Sequence, residues 1–417
     1  MILKCVTCGH EQDADAVAYR CPKCGDPLEI RLDTERIREV ARSSWRERPI
    51  SVWRYREALP IHDETKIVSL AEGGTALHRC ERLGEKLGLR SLFVKNEGEN
   101  PTGSFKDRGM TVGVTRAVEM GVKTLICAST GNTSASLAAY SAKAGVRCVV
   151  LVPSGNVALG KIAQAVIHGA QILQVRGSFD DAMGLVQELS LRHTEIYLLN
   201  SINPFRIEGQ KTAAFEICDQ LDPASPDSVF LPVGNAGNIT AYWKGFNELV
   251  DLGFTQSLPR MMGIQAEGAS PIVRAIREGR EEIVPEPRPE TVATAIRIGS
   301  PVNWKRAMRA IRDSGGAAEA VSDGEILEAQ KLLARLEGIF VEPASASSIA
   351  GLARLVGDGK VDRNENIVCV ATGHGLKDPG AVSGMSSPLV MDASMESIER
   401  CLGLFEASKA PVSQGGK

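Results

Sequence analysis

Apolar runs of strand length recur along the middle of the chain, and segments with helical spacing separate them. The runs lie at 92–94, 124–128, 146–152, 171–175, 196–200, 229–233, 262–266 and 367–371. Between them, segments 133–143, 160–168, 179–191, 209–221 and 238–252 carry apolar positions at the 3.6-residue period of a helix. A strand that is apolar along its length is buried on both faces, so the alternation predicts parallel α/β sheets covered by helices on each side. In such sheets ligands bind at the carboxyl ends of the strands. The polar, glycine-bearing segments that follow these runs are therefore where chemistry is expected. Ahead of this body, residues 33–48 are charged with a helical pattern that Pro49 stops. Trp45, Trp53 and Tyr55 are expected to anchor that connector on the body.

Composition narrows the class. At 417 residues with 43% hydrophobic content, the chain is long enough for two or three domains with a sizeable core. The formal net charge is −3 and no block of like charge occurs, which gives nucleic-acid or membrane-surface binding no electrostatic support. No apolar run approaches the roughly 20 residues of a membrane span. The N-terminus has no apolar signal segment, so a cytoplasmic, unprocessed protein is expected. The expected division is a metal-ribbon module at 1–30, a connector and start of the body at 31–92, a smaller α/β domain at 93–200, a larger one at 201–385, and a weakly patterned tail at 386–417.

Four of the ten cysteines form two knuckles, Cys5-x-x-Cys8 and Cys21-x-x-Cys24, each followed by glycine. Four thiolates brought together tetrahedrally suit a structural zinc and leave no position for a reactive water. About 25 residues cannot fold on a core of their own, so metal would supply the stability; a metal-free ribbon is the competing reading. His10 is then a solvated loop residue. The other cysteines are scattered; Cys127, Cys148 and Cys369 read as small core residues.

Four loops after strands carry candidate chemistry. In Asn100-Pro101-Thr102-Gly103-Ser104-Phe105-Lys106-Asp107, the Pro and Gly break a strand, Ser104 can cap a helix that begins near Phe105, and Lys106 lies in its first turn. A positive helix end disfavours a second cation, so an amine there can be neutral and form a Schiff base with an aldehyde cofactor. Gly234-Asn235-Ala236-Gly237-Asn238 lets backbone amides approach an anion at a helix start: a phosphate cup, or a simple Asx-rich cap. Ser129-Thr130-Gly131-Asn132-Thr133 sets hydroxyls and an amide at another helix start, suited to a substrate carboxylate or phosphate, or to capping alone. Arg206, following Asn200-Ser201, is a fork-shaped donor for phosphate or one half of a surface salt bridge. Lys161 is a weaker phosphate candidate.

These segments, with Ser69-Leu70-Ala71-Glu72-Gly73-Gly74-Thr75, Glu342-Pro343-Ala344-Ser345-Ala346 and Ala371-Thr372-Gly373-His374-Gly375-Leu376-Lys377-Asp378, resemble the signatures of threonine synthases. The resemblance runs from about Ser69 to Pro379, and the ribbon also resembles one carried by some threonine synthases and by cysteate synthases. One departure is Gly74 before and Ala76 after Thr75, where the family more often has Asn and Pro. The resemblance implies the fold type II architecture of pyridoxal-phosphate enzymes, similar to the tryptophan synthase β chain, with two parallel-sheet domains. It implies conversion of O-phospho-L-homoserine and water to L-threonine and phosphate, the work of a carbon–oxygen lyase acting on phosphate, and a homodimer. Lys106 would hold pyridoxal 5′-phosphate and move protons. Gly234, Asn235, Ala236, Gly237 and Asn238 would bind its phosphate, Asn132 its phenolic oxygen, and Thr372 its pyridine nitrogen. A hydroxyl there does not hold full positive charge on the ring, which favours elimination and replacement over transamination. Ser129, Thr130 and Thr133 would bind substrate, and Asn200, Ser201 and Arg206 its phosphate. Cysteate synthase and threonine dehydratase are the alternatives within the same superfamily.

Overall fold

The apolar runs assemble into two parallel-stranded sheets, and a third, small sheet closes the N-terminus. The computed structural model describes residues 1–15, 17–154, 159–177, 179–382 and 390–402. The larger sheet has the spatial order Ala318–Val321, Arg260–Ala266, Ser228–Pro232, Asn366–Ala371, Ser91–Asn96, Leu77–Arg79. Its neighbours are parallel except for the last pair. The smaller sheet, all parallel, is ordered Gln171–Val175, Arg147–Pro153, Thr124–Ala128, Ile196–Leu198.

Every run read as a strand in the sequence is a strand, with no end shifted by more than two residues. Two further strands of the larger sheet had no such signal. Ala318–Val321 is built of residues with weak strand preference and forms because Arg260–Ala266 offers it a buried edge. Leu77–Arg79 is a short, half-exposed edge strand. Strand Ser91–Asn96, which the sequence division puts at the start of the smaller domain, pairs with Asn366–Ala371 in the larger sheet, Leu92 beside Ile367. The smaller sheet is thus inserted between two strands of the larger one.

Two helices set the geometry of the cleft between the sheets. Helix Lys106–Glu119 crosses helix Pro204–Leu221 at backbone contact. A Cβ on Gly209 would lie 1.8 Å from the carbonyl oxygen of Arg108, and one on Gly109 would lie 2.8 Å from that of Arg206. Glycine is required at both positions because nothing larger fits. Below the crossing is a dry ionic cluster. Arg108, Glu97, Glu216 and Lys95 are all 0% exposed. The Arg108 guanidinium spans Glu97 at 2.5 and 2.7 Å and Glu216 at 2.6 and 2.7 Å, and the Lys95 ammonium donates to Glu216 at 2.7 Å.

The three connector aromatics anchor as expected. Trp45 stacks on Phe254 at 4.9 Å, Tyr55 donates to Asp219 at 2.6 Å, and the Trp53 indole donates to Glu72 at 2.9 Å. The N-terminal sheet, Glu11–Asp13, Ile2–Cys5 and Leu28–Arg31, packs Leu3, Leu28 and Ile30 on Val52, Val112 and Phe205. The Lys305–Asp26 ion pair at 2.8 Å joins it to helix Trp304–Asp313.

Two compact units divide the chain, Met1–Pro379 and Gly380–Lys417. In the second, helix Met395–Cys401 is capped by Ser394. The expected tail lies partly outside the described residues, as does the side chain of Lys161. No helix among the described residues is long and apolar enough to cross a membrane.

Candidate active site

At the carboxyl ends of strands Ser228–Pro232 and Asn366–Ala371 lies a cleft with about 560 Å³ of free space, counted to its open mouth. Lys106, Ser201, Arg206, all five residues 234–238 and Thr372 line it, together with Gln210 and Glu342. Lys106 is the first residue of its helix. Ser104, expected to cap it, does not: Phe105 occupies the cap position with helical backbone angles and no side-chain cap bond, and the Ser104 hydroxyl is buried without a hydrogen-bond partner among the described residues. Backbone contacts fix the turn instead. Ser104 bridges Gly373, and the Phe105 amide donates to the Thr372 carbonyl at 3.0 Å. Asp107 then accepts from the Thr102 amide at 2.7 Å and its hydroxyl at 2.6 Å.

The Lys106 amine lies 3.7 Å from the centre of the Phe105 ring. Burial, seconded by the positive charge of Arg206, pushes its pKa down to about 7, against the pull of Glu342. The depression expected from the helix terminus is thus produced by burial first and by Arg206 second. Glu342, at the cap position of helix Pro343–Gly357, is buried, which raises its pKa. The Asn132 amide donates to both of its oxygens at 3.1 Å and opposes that rise.

The cup residues turn sharply from strand to helix. Ala236 has φ +62°, a left-handed conformation that costs a non-glycine residue energy and delivers Gly237 and Asn238 to the cleft as the start of helix Gly237–Leu252. The first amides of a helix lack intrahelical partners and suit an anion. Several buried atoms here also have no hydrogen-bond partner among the described residues: Asn238 Oδ1 and Nδ2, Gln210 Oε1 and Arg206 Nε. Each such atom costs about 1–3 kcal/mol unless a ligand satisfies it. An amine of lowered pKa, a strained amide cup and unpaired polar atoms in one cleft fit an aldehyde cofactor that bears a phosphate.

The remaining expected residues divide. Ser201 and Arg206 line the cleft; the Arg206 guanidinium, 1% exposed, donates only to the Leu199 carbonyl at 3.4 Å in the described structure. Ser129, Thr130 and Thr133 are not among the residues lining it: Ser129 and Thr130 lie between strand Thr124–Ala128 and helix Asn132–Ala144, Thr133 is in that helix's first turn, and of this loop it is Asn132 that bonds the lining residue Glu342. Asn200 is different. Its amide accepts from the Ala128 amide and donates to the Ala128 carbonyl, each at 2.9 Å, so it is clasped to the end of strand Thr124–Ala128 with one N–H and one oxygen lone pair beyond these two bonds. His374 serves its loop, its Nδ1 accepting from the Leu376 amide at 3.1 Å.

Sequence reasoning assigned no role to Glu342 or Gln210. The available signal for Gln210 was its spacing four residues after Arg206 on one helix face. For Glu342 it was an acidic residue set before a proline at a helix start.

In the N-terminal module, Sγ atoms of Cys5 and Cys24 lie 3.4 Å apart, those of Cys8 and Cys21 3.5 Å, and those of Cys8 and Cys24 3.6 Å. All four ligand atoms fall within 4.8 Å of one another, a grouping that could hold a metal ion.

The class follows from this fold and cleft, and the comparisons agree: residues 68–373 match the family described as "Pyridoxal-phosphate dependent enzyme". The processed form of threonine deaminase isoform 2 from Solanum lycopersicum shares the fold, with TM-score 0.65 and 20% identity over 87% of this chain and 97% of that one. Closer in sequence are two threonine synthases. That of Methanocaldococcus jannaschii is 60% identical over 404 residues, covering 96% of this chain and 99% of that protein. That of Methanosarcina acetivorans is 58% identical over 401 residues, covering 96% and 98%. The chain belongs to the threonine synthase family of pyridoxal-phosphate dependent enzymes.

Proposed function

We infer that this chain converts O-phospho-L-homoserine and water to L-threonine and phosphate. The observation that carries the reading is the meeting in one cleft of Lys106, the cup at 234–238 and Arg206, which pairs with no carboxylate among the described residues. When bound, pyridoxal phosphate supplies an electron sink for carbanion chemistry. The cup amides would hold its phosphate, the Asn132 amide and Thr372 hydroxyl would orient its ring, and Lys106 would hold its aldehyde carbon at rest. Ser129, Thr130 and Thr133 hold the substrate carboxylate. Lys106, about half neutral near pH 7, accepts protons from Cα and Cβ; after phosphate leaves Cγ, the two protons return to Cγ and Cα, while water adds its hydroxyl at Cβ and gives its other proton to the released phosphate. Asn200 braces the loop that presents Ser201.

Arg206 and Ser201 read the substrate phosphate. One cup serves one phosphate, so a second buried anion-binding group needs a second anion. Losing a charged hydrogen bond in such a site costs roughly 2–3 kcal/mol, or about 30- to 150-fold. Arg206→Ala is expected to lower kcat/KM for O-phosphohomoserine by that factor while cofactor binding persists. Equal turnover of unphosphorylated homoserine by the wild-type protein, measured by threonine formation, would remove this reading.

The four cysteines are assigned one structural zinc. Sulfurs about 3.8 Å apart are expected around a tetrahedral ion with bonds of about 2.3 Å, close to the separations here. Protein purified without chelator is expected to contain one zinc per chain by elemental analysis. Cys5→Ser should empty the site and lower thermal stability more than it alters kcat. A wild-type zinc content near zero from zinc-replete medium would contradict the assignment.

A further inference from the structure

One buried side chain connects the two phosphate loops of the cleft, although neither loop contains it. Asn303 is 1% exposed and stands just before helix Trp304–Asp313, outside the motifs that mark the site; its side chain makes no cap bond to that helix and is turned to other partners. Its backbone amide donates to the Asn235 carbonyl at 3.2 Å. Its side-chain Nδ2 donates to that same carbonyl at 3.3 Å and to the Ser201 carbonyl at 3.2 Å. The neighbouring Val302 amide reaches Asn235 Oδ1 at 3.5 Å. One amide thus ties the cup, where Asn235 sits, to the loop that carries Ser201 and leads into Arg206. It also stands 3.5 Å from where a Cβ on Gly237 would be, against the first turn of the cup helix.

The amide is held from behind. Arg306, one turn on, donates through Nη2 to Asn303 Oδ1 and through Nη1 to the carbonyl of Leu28 at 3.4 Å. Leu28 is the strand partner of Cys5 in the N-terminal sheet. An arginine that is 7% exposed and has no carboxylate within ion-pair reach among the described residues is costly to keep. Its two bonds to Asn303 and Leu28 give it a positional use: with Oδ1 occupied by the guanidinium, Nδ2 can only point at the two loop carbonyls.

We propose that Asn303, braced by Arg306 against the N-terminal module, is a positioning residue that sets the spacing between the cofactor-phosphate cup and the Ser201–Arg206 substrate loop. The inference rests on the reading of the cleft given under Proposed function. Two phosphates must be held a fixed distance apart for one bound substrate to present its Cγ ester while its amine meets the cofactor. A shared buried amide does this better than two independent loops, because it removes their relative freedom before ligands arrive.

The test uses the full-length protein, stripped of cofactor and titrated with pyridoxal phosphate by absorption, followed by steady-state kinetics with O-phosphohomoserine. Asn303→Ala removes all three side-chain bonds. Asn303→Asp keeps the acceptor for Arg306 but replaces the donor with an oxygen facing two carbonyls. Either variant is expected to weaken cofactor affinity by about 5- to 30-fold, the effect of losing one or two buried hydrogen bonds, and to raise KM by a similar factor. Arg306→Met is expected to give a smaller shift of both in the same direction. Lys305→Met, which breaks the ion pair to Asp26 without touching Asn303, is expected to change neither. If the Asn303 variants lower the unfolding midpoint yet bind cofactor and substrate as the wild type does, Asn303 is a packing residue only and the proposal fails. Should Asn303→Ala not fold, wild-type affinities in Asn303→Asp and Arg306→Met would overturn it just as well. A wild-type protein that takes up no pyridoxal phosphate would instead overturn the reading of the cleft, and this inference with it.

Discussion

Lys106→Ala is expected to reduce turnover more than about 10³-fold, since acid–base transfer alone contributes roughly 10²–10⁴ and this side chain also holds the cofactor. The visible absorbance of reconstituted protein should vanish with it, although the cup can still bind the cofactor phosphate. A second signature is the pH at which the cofactor-free protein captures an aldehyde. A neutral amine is the nucleophile, and burial with Arg206 nearby pushes Lys106 down to about 7 from its ordinary 10.5. The folded protein favours the uncharged amine, so capture is expected to rise with pH through about 7 and to level off well below pH 10. Borohydride reduction followed by peptide mapping identifies the residue. Label on any other lysine, or a capture midpoint near 10.5, would refute the assignment.

Glu216→Ala is expected to destabilise the protein by about 3–5 kcal/mol, read from the urea unfolding midpoint at neutral pH. Glu216 is not in the cleft, and its effect comes from charge balance. Arg108 and Lys95 oppose Glu97 and Glu216 in a region with no exposed surface. Removing one carboxylate leaves two buried cations against one anion. Glu216→Gln keeps the shape and should lose most of the same free energy. Burial would raise the Glu216 pKa, but Arg108 and Lys95 together hold it down to about 2 from 4.5. A depressed carboxyl pKa gives stability that is complete above pH 4.5 and is lost as pH falls toward 2. The acid limb of the wild-type stability profile should therefore be steeper than that of Glu216→Gln. A loss below about 1 kcal/mol would mean water enters this cluster. Because Arg108 lies two residues past Lys106, the variant is also expected to loosen the helix that carries the reactive amine.

What was legible in the sequence was whatever depends on local order. Continuous apolar runs mark buried parallel strands by their own composition, and the runs at 124–128 and 171–175 match the observed strands residue for residue. Anion-binding loops are local too, since Gly, Asn and Ala in succession after a strand give the backbone access that a phosphate needs. So Lys106, the cup and Arg206 could be named from their own loops, and Ser201 and Thr372 from the resemblance to threonine synthase signatures, before any of them was seen to share a cleft. The paired Cys-x-x-Cys knuckles are of the same kind.

What only the tertiary structure decided is how distant groups spend their hydrogen bonds. Ser104 has the chemistry of a cap, but Phe105 already adopts helical angles, because its amide is bound to the Thr372 carbonyl. Asn200 resembles a ligand residue, but the end of strand Thr124–Ala128 lies beside it and bonds both of its amide groups. Gln210 and Glu342 face the cleft because a glycine–glycine helix crossing and a strand end turn them there, over sequence separations that no local pattern reports. Asn303 lies about 70 residues past the cup and about 100 past Ser201, and the ionic cluster joins Glu97 to Glu216 across more than a hundred residues. Propensity, spacing and turn chemistry act within a few residues of chain, so they determine elements and loops. Satisfaction of buried polar groups is a requirement on the packed whole, and it determined which candidate residues were free to act.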